Sequence, residues 1–228
     1  MHGSVVNAEL TWSAQKPLAE RFDLVAPNRR GFPPGPEVER IDFEDEAQWF
    51  EQFLEPRTHV LGHSYGGVIA LFLAARRPEL VRSLAVVEPP AFGIARGRDG
   101  VDAYVERLAA LWEEPEEPEP FLRAFLATIG SSAPPGRLNA GMLQGARMLR
   151  VERLPWEADV PLAELKGAQL PILAVSGGHE PAFEAVCDVL AEQAGAERAV
   201  LPGAGHRVQR LGAPLNELVT AFVERAED

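Results

Sequence analysis

One stretch, Gly62-His63-Ser64-Tyr65-Gly66-Gly67, constrains the fold of this chain more than any other. The residues before it, 58–61, are apolar and β-branched and predict a strand, and the apolar run after it predicts a helix over 66–77. Because glycine has no Cβ, these glycines allow a strained strand-to-helix turn in which neighbouring chain lies close to Ser64. Such a turn exposes the serine hydroxyl above a sheet and leaves the following backbone N–H groups at a helix N-terminus.

Two interpretations of Ser64 are open at this point. In the first, the serine is an inert cap at the start of a glycine-rich helix. In the second, it is a nucleophile held on the turn for chemistry. The strand before it and the helix after it favour the nucleophile, as do the candidate partner residues farther along the chain.

Short apolar runs alternate with helical patterns through the rest of the chain. Strands are predicted at 22–26, 58–61, 83–87, 171–175 and 198–201, and helices at 44–53, 66–77, 183–193 and 213–225. Near-continuous apolar strands that alternate with helices are typical of parallel sheets buried on both faces. The sequence therefore predicts an α/β fold with a mainly parallel central sheet flanked by helices.

The strand pattern stops between Pro90 and Gln169. Three amphipathic helical patterns replace it, and prolines mark their boundaries. We expect a helical cap over 91–169, inserted after the third predicted strand into a core formed by 1–90 and 170–228. The large apolar residues of this cap are Trp112, Phe121, Phe125, Met142 and Met148. They suggest an apolar pocket, although helical spacing of this kind equally suits residues that form the core of the cap itself.

Composition excludes several classes of function. The chain has 228 residues, 46% of them hydrophobic and 25% charged, which fits one α/β domain. A net charge of −12 argues against nucleic acid or an anionic membrane as the partner. No apolar run approaches the roughly 18 residues that span a bilayer. The single cysteine, Cys187, excludes an intrachain disulfide, so we expect a reducing, cytoplasmic location and a buried apolar role for this residue.

Together these features resemble the α/β-hydrolase superfamily, in its capped esterase-like and lipase-like form with a serine nucleophile. The matching segments span nearly the whole chain: His2-Gly3-Ser4, Trp12, Asn28-Arg29-Arg30-Gly31-Phe32, Gly62 to Gly67, Gly177-Gly178-His179-Glu180-Pro181 and Pro202-Gly203-Ala204-Gly205-His206. The resemblance implies that Ser64 is the nucleophile and His206 the general base. His206 also follows the last predicted strand in a glycine-rich loop, where ligand-facing residues of parallel sheets gather.

The acidic partner of His206 is ambiguous in the sequence. Glu180 follows the penultimate strand, which is the commoner position in the family and gives the order serine, acid, histidine. Glu88 follows the strand after the nucleophile helix, where lipase-like relatives have their acid. Either carboxylate could orient the imidazole and stabilise its charged form, and the family order favours Glu180.

The resemblance also implies an oxyanion hole and a mechanism without a metal or cofactor. The expected donors are the backbone N–H of Tyr65, directly after the nucleophile, and that of Ser4, directly after His2-Gly3. Loss of one such donor typically costs roughly 3 kcal/mol of transition-state stabilisation.

The N-terminus departs from the family pattern. In the family, His-Gly ends a central strand that lies between the strands matching 22–26 and 58–61, whereas here His2 is the second residue. We therefore expect an upstream start or a truncated form. The chain as given should have low stability, weak oxyanion stabilisation and a tendency to form homo-oligomers through an open sheet edge. Restoring upstream coding sequence and measuring the melting temperature and activity would test this expectation.

The function expected from these residues is that of a serine hydrolase acting on a small carboxylic ester, lactone or thioester through an acyl-enzyme. The substrate would be a small molecule with an apolar acyl or aromatic group. Carbon–carbon bond hydrolysis and acyl transfer use a similar triad and stay open. A catalytically impaired binding or interaction protein on a hydrolase scaffold is the alternative from another class.

Overall fold

The computed structural model describes residues 1–113 and 117–227. Four strands form its sheet: β1 (Thr58–His63), β2 (Val81–Val87), β3 (Ile172–Ser176) and β4 (Glu197–Val200). The α-helices among the described residues are α1 (Ala8–Thr11), α2 (Phe43–Phe50), α3 (Tyr65–Arg76), α4 (Val101–Glu113), α5 (Pro118–Thr128), α6 (Ala140–Val151), α7 (Leu162–Gly167), α8 (Pro181–Ala194) and α9 (Ala213–Glu227). Short 3-10 helices cover Ser13–Glu20, Glu51–Phe53, Phe92–Ala95, Pro155–Glu157 and Val208–Leu211.

The sheet is parallel throughout, and its strands follow the order β1-β2-β3-β4. In the register, Leu61 pairs with Ala85, Leu84 with Ile172, and Val175 with Ala199. All four strands run in the same direction, so their carboxyl ends lie along one edge of the sheet. Residues that directly follow the strands are therefore brought together there.

Side chains of the central strands alternate between two buried clusters. Leu84 and Val86 belong to the larger cluster, which includes residues of α3 and α8, whereas Ala85 and Val87 belong to a smaller one with residues of α9. Because successive residues of a strand face opposite sides, an apolar strand of this kind requires helices on both faces of the sheet. The prediction of an α/β fold with a flanked parallel sheet is confirmed.

The predicted strand over 22–26 is wrong. Within the part of the chain that the structure describes, this segment pairs with no strand, and Leu24 and Val25 are 48% and 70% exposed. A groove of about 400 Å³ is lined by this segment on one side and β1 on the other, and the segment does not pair with β1. An apolar, β-branched run predicts a strand only where an adjacent edge can satisfy its N–H and C=O groups.

Met1 lines this groove beside the carboxyl end of β1. Its amino group donates to the carbonyl of Leu61, and its carbonyl accepts from the N–H of His63. The gap between 22–26 and β1 is therefore not closed by direct pairing, and the residues after Met1 lie above the end of β1. This arrangement brings the segment His2-Gly3-Ser4 next to Ser64.

Helices α4, α5 and α6 lie between β2 and β3 in the chain, so the predicted helical insertion is present. They form a layer of their own in which α5 packs on both α4 and α6. The division into a core of 1–90 and 170–228 and a cap of 91–169 stays a prediction. No helix among residues 1–113 and 117–227 combines the length and apolarity needed to cross a membrane.

Candidate active site

Ser64 lies on a strained turn between β1 and α3. Its backbone dihedral angles are φ 55° and ψ −130°, a conformation that residues other than glycine rarely adopt. The turn depends on close backbone packing, because a Cβ on Gly62 would lie 2.5 Å from the carbonyl oxygen of Gly66. A Cβ on Gly66 would lie 2.4 Å from the carbonyl oxygen of His2. The sequence therefore needs glycine at both positions to hold the serine in this geometry.

Ser64, His206 and Glu88 form one chain of hydrogen bonds. The Oγ of Ser64 lies 2.8 Å from Nε2 of His206, and Nδ1 of His206 lies 3.1 Å from Oε2 of Glu88. Ser64 follows β1, Glu88 follows β2, and His206 lies in the loop after β4. His206 and Glu88 are buried, with 4% and 0% of their surface exposed. This geometry allows the serine proton to pass to the imidazole while the carboxylate orients the ring.

Of the two carboxylates that the sequence left open, the structure brings Glu88 to His206. Glu180, which the family order favoured, points toward Arg107, with 3.5 Å between its Oε2 and Nη2 of Arg107. Glu180 occupies the N-cap position of α8, whereas the residue before it, His179, faces the buried carboxylate. One position on this loop separates His179, which contacts the buried carboxylate of Glu88, from Glu180, which pairs with Arg107 at the surface. A sequence pattern cannot resolve such a difference.

Three hydrogen-bond donors surround the Glu88 carboxylate. Oε1 accepts from the N–H of Gly177, and Oε2 accepts from Nε2 of His179 at 2.9 Å and from His206. Burial alone would raise the pKa of Glu88, but the hydrogen bonds from His179 and His206 outweigh it and lower the pKa to about 2. The carboxylate is therefore ionised at neutral pH and stabilises positive charge on the imidazole.

His63 supports the loop that carries His206. Its Nε2 donates to the backbone carbonyl of His206 at 3.0 Å, and the two rings lie 5.1 Å apart. Burial lowers the pKa of His63 to about 3, so its ring is neutral near neutral pH. The sequence identified this residue only as the variable position of the turn, because the contact is formed by a loop 143 positions away.

The two expected oxyanion donors belong to residues beside Ser64. Ser4, Ser64 and Tyr65 line the same cavity. Gly3 packs so closely on the nucleophile turn that a Cβ there would lie 2.8 Å from Cβ of Ser64. Tyr65 begins α3, so its N–H is at the positive end of the helix dipole. The geometry is consistent with an oxyanion hole formed by these two N–H groups, and that role stays a prediction.

A buried ionic cluster supports the Ser4 loop, and no sequence pattern indicated its carboxylates. The side chain of Arg29 is fully buried and donates through Nη2 to Oε1 of Glu152 at 2.6 Å. The second carboxylate oxygen of Glu152 accepts from the Ser4 hydroxyl at 2.5 Å. Arg29 also contacts Glu46, and its guanidinium lies 4.5 Å from the centre of the Tyr65 ring. The only signal in the sequence was Arg29 itself, in the segment that resembles a structural loop of the family.

Two cavities meet at Ser64 and His206. The first, which we call the apolar cavity, has a volume of about 30 Å³ and a mostly hydrophobic lining: Pro90, Phe92, Leu108, Trp112, Phe125, Ile129, Leu149, Leu154, Pro155, Trp156 and Phe183. The second, which we call the polar cleft, has a volume of about 250 Å³ and a more polar lining: Ser131, Ser132, Asn139, Arg207, Gln209 and Arg210, with Met142 among its apolar residues. Of the five large cap residues, Phe121 and Met148 are buried in the core.

Among residues 1–113 and 117–227, Glu88, His179 and His206 form a group that could hold a metal ion. One ligand atom from each lies within 4.8 Å of the others, and two histidines with a carboxylate are a donor set that zinc accepts. All three side chains are already hydrogen-bonded to one another through Oε2 of Glu88. The contact between His206 and Glu88 is one that a triad needs, so we interpret this pair as part of the triad and His179 as a further hydrogen-bond partner of Glu88. Cys187 is buried in the core, and burial raises the pKa of its thiol.

Comparison with known proteins identifies the family. A model of the alpha/beta hydrolase family matches residues 1–220, which is almost the entire chain. The chain belongs to the alpha/beta hydrolase family. Among solved structures, this hydrolase is similar to a thermophilic esterase from Thermogutta terrifontis, with a TM-score of 0.72 at 16% identity over 100% of this chain and 89% of the esterase. That likeness supports the fold.

Two curated relatives add detail at the level of sequence. AB hydrolase superfamily protein YfhM from Bacillus subtilis is 34% identical over 88 residues, which cover 35% of this chain and 31% of that protein. The 2-(acetamidomethylene)succinate hydrolase of Mesorhizobium japonicum is 24% identical, over 98% of this chain and 86% of the relative. The match to YfhM thus spans less than a third of its length.

Proposed function

We propose that this alpha/beta hydrolase cleaves a small carboxylic ester, lactone or thioester through a serine acyl-enzyme. The observation that supports this most directly is the continuous hydrogen-bond chain from the Ser64 hydroxyl through both nitrogens of His206 to Glu88, with 2.8 Å and 3.1 Å between the bonded atoms. Nucleophilic serine catalysis requires this geometry, because a free hydroxyl is a weak nucleophile until a base accepts its proton.

In the acylation step, Oγ of Ser64 attacks the substrate carbonyl carbon while its proton passes to Nε2 of His206. The backbone N–H groups of Ser4 and Tyr65 donate to the oxygen that becomes negative. Glu88, which is ionised because its pKa is about 2, stabilises the imidazolium through Nδ1. The tetrahedral intermediate then collapses, the bond to the leaving group breaks, and His206 returns the proton to the departing oxygen or sulfur.

Deacylation repeats the same steps with water. His206 accepts a proton from a water molecule, the hydroxide attacks the acyl carbon, and Ser64 leaves with the returned proton. The products are a carboxylic acid and an alcohol or thiol, so the overall reaction consumes one water. The apolar cavity beside Ser64 accepts a small, uncharged acyl or aromatic group, because its lining is almost entirely hydrophobic.

A fluorophosphonate probe tests the nucleophile directly. We expect wild-type protein to be labelled and to hydrolyse p-nitrophenyl acetate, and Ser64→Ala to lose both properties. Ser13→Ala is the matched control, because Ser13 is a partly exposed serine at the start of a 3-10 helix. Its hydroxyl contacts Leu10 and Arg210. Folding of all three proteins is checked by circular dichroism.

Other outcomes distinguish the alternatives. A folded protein that is never labelled at Ser64 would refute the serine mechanism and favour a binding role on a hydrolase scaffold. Labelling without ester turnover would favour carbon–carbon bond hydrolysis or acyl transfer on the same triad. Addition of acceptor alcohols and analysis of the products by mass spectrometry then separates these two reactions.

A further inference from the structure

We propose that His179 is a positioning residue, which fixes the Glu88 carboxylate for its contact with His206. This inference rests on the proposed function, since it assigns a role within the same triad. His179 contacts the triad through Glu88: its Nε2 lies 2.9 Å from Oε2 of Glu88, the same oxygen that accepts from Nδ1 of His206. Its own ring lies 6.4 Å from that of His206.

The Glu88 side chain needs such a restraint. Its backbone has φ 51°, a value that a residue with a side chain rarely adopts, and the side chain is fully buried. The N–H of Gly177 holds only one carboxylate oxygen, Oε1. Without a second fixed donor on Oε2, the carboxylate could rotate about its terminal bond and direct this oxygen away from His206. His179 supplies that donor at 2.9 Å from Oε2, in addition to the contact from His206.

The ring of His179 is itself held in place. Gly130, which follows the C-cap of α5 in the helical insertion, packs directly on it, and a Cβ on Gly130 would lie 2.8 Å from Nδ1 of His179. On another side, the Phe183 ring lies 5.5 Å from the His179 ring. These contacts restrict rotation of the imidazole, whose Nε2 lies 2.9 Å from Oε2 of Glu88. The cap thereby contributes to the geometry of the catalytic acid through a residue that itself contacts Glu88.

Paired substitutions separate positioning from simple packing. His179→Gln keeps an N–H donor near the Nε2 position, whereas His179→Leu keeps similar bulk without a donor. We expect the leucine variant to lower kcat for p-nitrophenyl acetate about tenfold with little change in KM, which corresponds to the loss of one buried hydrogen bond. The glutamine variant should retain most of the wild-type kcat.

The matched control is His59→Leu. His59 also contacts a glutamate through Nε2, at 2.9 Å from Oε1 of Glu227, but this pair lies on the surface far from the triad in the fold. We expect His59→Leu to retain wild-type kcat and KM. Equal losses in the glutamine and leucine variants of His179, or a change confined to KM, would overturn the positioning role. Wild-type kcat in both variants would overturn it as well.

A proton NMR measurement keeps the inference testable if ester turnover is absent. The downfield resonance of the His206 Nδ1 proton, assigned by its loss in His206→Gln, reports the bond to Glu88 directly. We expect this resonance to persist in His179→Gln and to broaden or shift in His179→Leu. An unchanged resonance in His179→Leu would refute positioning, whether or not Ser64 is a nucleophile. A changed resonance in a protein that lacks Ser64-dependent turnover would instead refute only the proposed function.

Discussion

The hydroxyl of Ser4 donates a hydrogen bond to the carboxylate of Glu152, at 2.5 Å, across 148 positions of the chain. Glu152 follows the last residue of α6, so this bond connects the helical insertion to the loop that carries a proposed oxyanion donor. The other oxygen of the same carboxylate pairs with the buried Arg29. A single side chain of the insertion therefore supports both the Ser4 loop and a buried cation in the core.

Glu152→Gln should lower both stability and kcat. The substitution leaves Arg29 buried beside Glu46 alone, at 3.7 Å, and we expect the free energy of unfolding to fall by about 3 kcal/mol. We expect kcat for p-nitrophenyl acetate to fall at a temperature where the variant is folded, because the single amide oxygen of glutamine cannot accept from both Arg29 and the Ser4 hydroxyl. Urea titration and steady-state kinetics measure the two effects. Glu37→Gln, which removes an exposed pair with Arg147, should leave both almost unchanged.

Gly145→Ala should displace the same loop from the other side. A Cβ on Gly145, within α6, would lie 1.9 Å from the carbonyl oxygen of Val5, and this backbone cannot move without shifting Ser4. We expect a lower melting temperature, and we expect kcat to fall by a larger factor than KM rises. Gly167→Ala is the control, since a Cβ there would meet no atom within 4 Å. A Gly145→Ala protein with wild-type kcat would show that the Ser4 loop is not needed for turnover.

The ionised Glu88 should stabilise the folded state in a pH-dependent manner. Its pKa falls from 4.5 to about 2 on folding, so its contribution is fully present above pH 4.5 and is lost as pH falls toward 2. The size of this shift corresponds to roughly 3 kcal/mol. We expect the difference in unfolding free energy between wild type and Glu88→Gln to shrink from pH 6 to pH 3, as measured by urea titration at each pH. A constant difference would contradict the shift.

His179 should titrate in the opposite sense. The hydrogen bond with Glu88 raises the pKa of His179, so its contribution to stability is present below pH 6.5 and is lost as pH rises through the raised value. We expect the His179 ring signals in NMR spectra to titrate above pH 6.5 in wild type. In Glu88→Gln the midpoint should move down, because the carboxylate that favours the charged ring is gone. A midpoint that does not move would show that another group sets this pKa.

The small apolar cavity should favour short acyl chains. With a volume of about 30 Å³, it accommodates few carbon atoms without rearrangement of the insertion. We expect kcat/KM for p-nitrophenyl esters to fall from acetate and butyrate to octanoate. Leu149→Ala enlarges the cavity and should shift this preference toward longer chains. Leu190→Ala, which removes a leucine buried elsewhere in the core, is the control for lost stability and should leave the preference unchanged.

Much of this molecule could be predicted from the sequence because its signals are local. The strand and helix around Ser64, the helical insertion and the α9 helix were all predicted by the spacing of apolar residues. Ser64 was predicted as a nucleophile partly because the glycines of its turn have strict steric requirements, and His206 as the base from the family resemblance and its position after the last predicted strand. By contrast, the strand over 22–26 was predicted from a short apolar run and is absent, since its formation depends on an adjacent edge elsewhere in the chain.

By itself, the sequence determined the parallel α/β architecture, the strained turn at Ser64 and the candidate base, His206. Periodicity and glycine content specify the architecture and the turn within a few consecutive residues, and the resemblance to the family together with its loop position indicates His206. Only the tertiary structure decided that Glu88 rather than Glu180 contacts His206, that His179 bonds to the same carboxylate oxygen, and that Glu152 bonds to Ser4. The physical reason is that hydrogen bonds and buried charges depend on the positions of atoms from distant segments, and only the packed fold brings those atoms within about 3 Å.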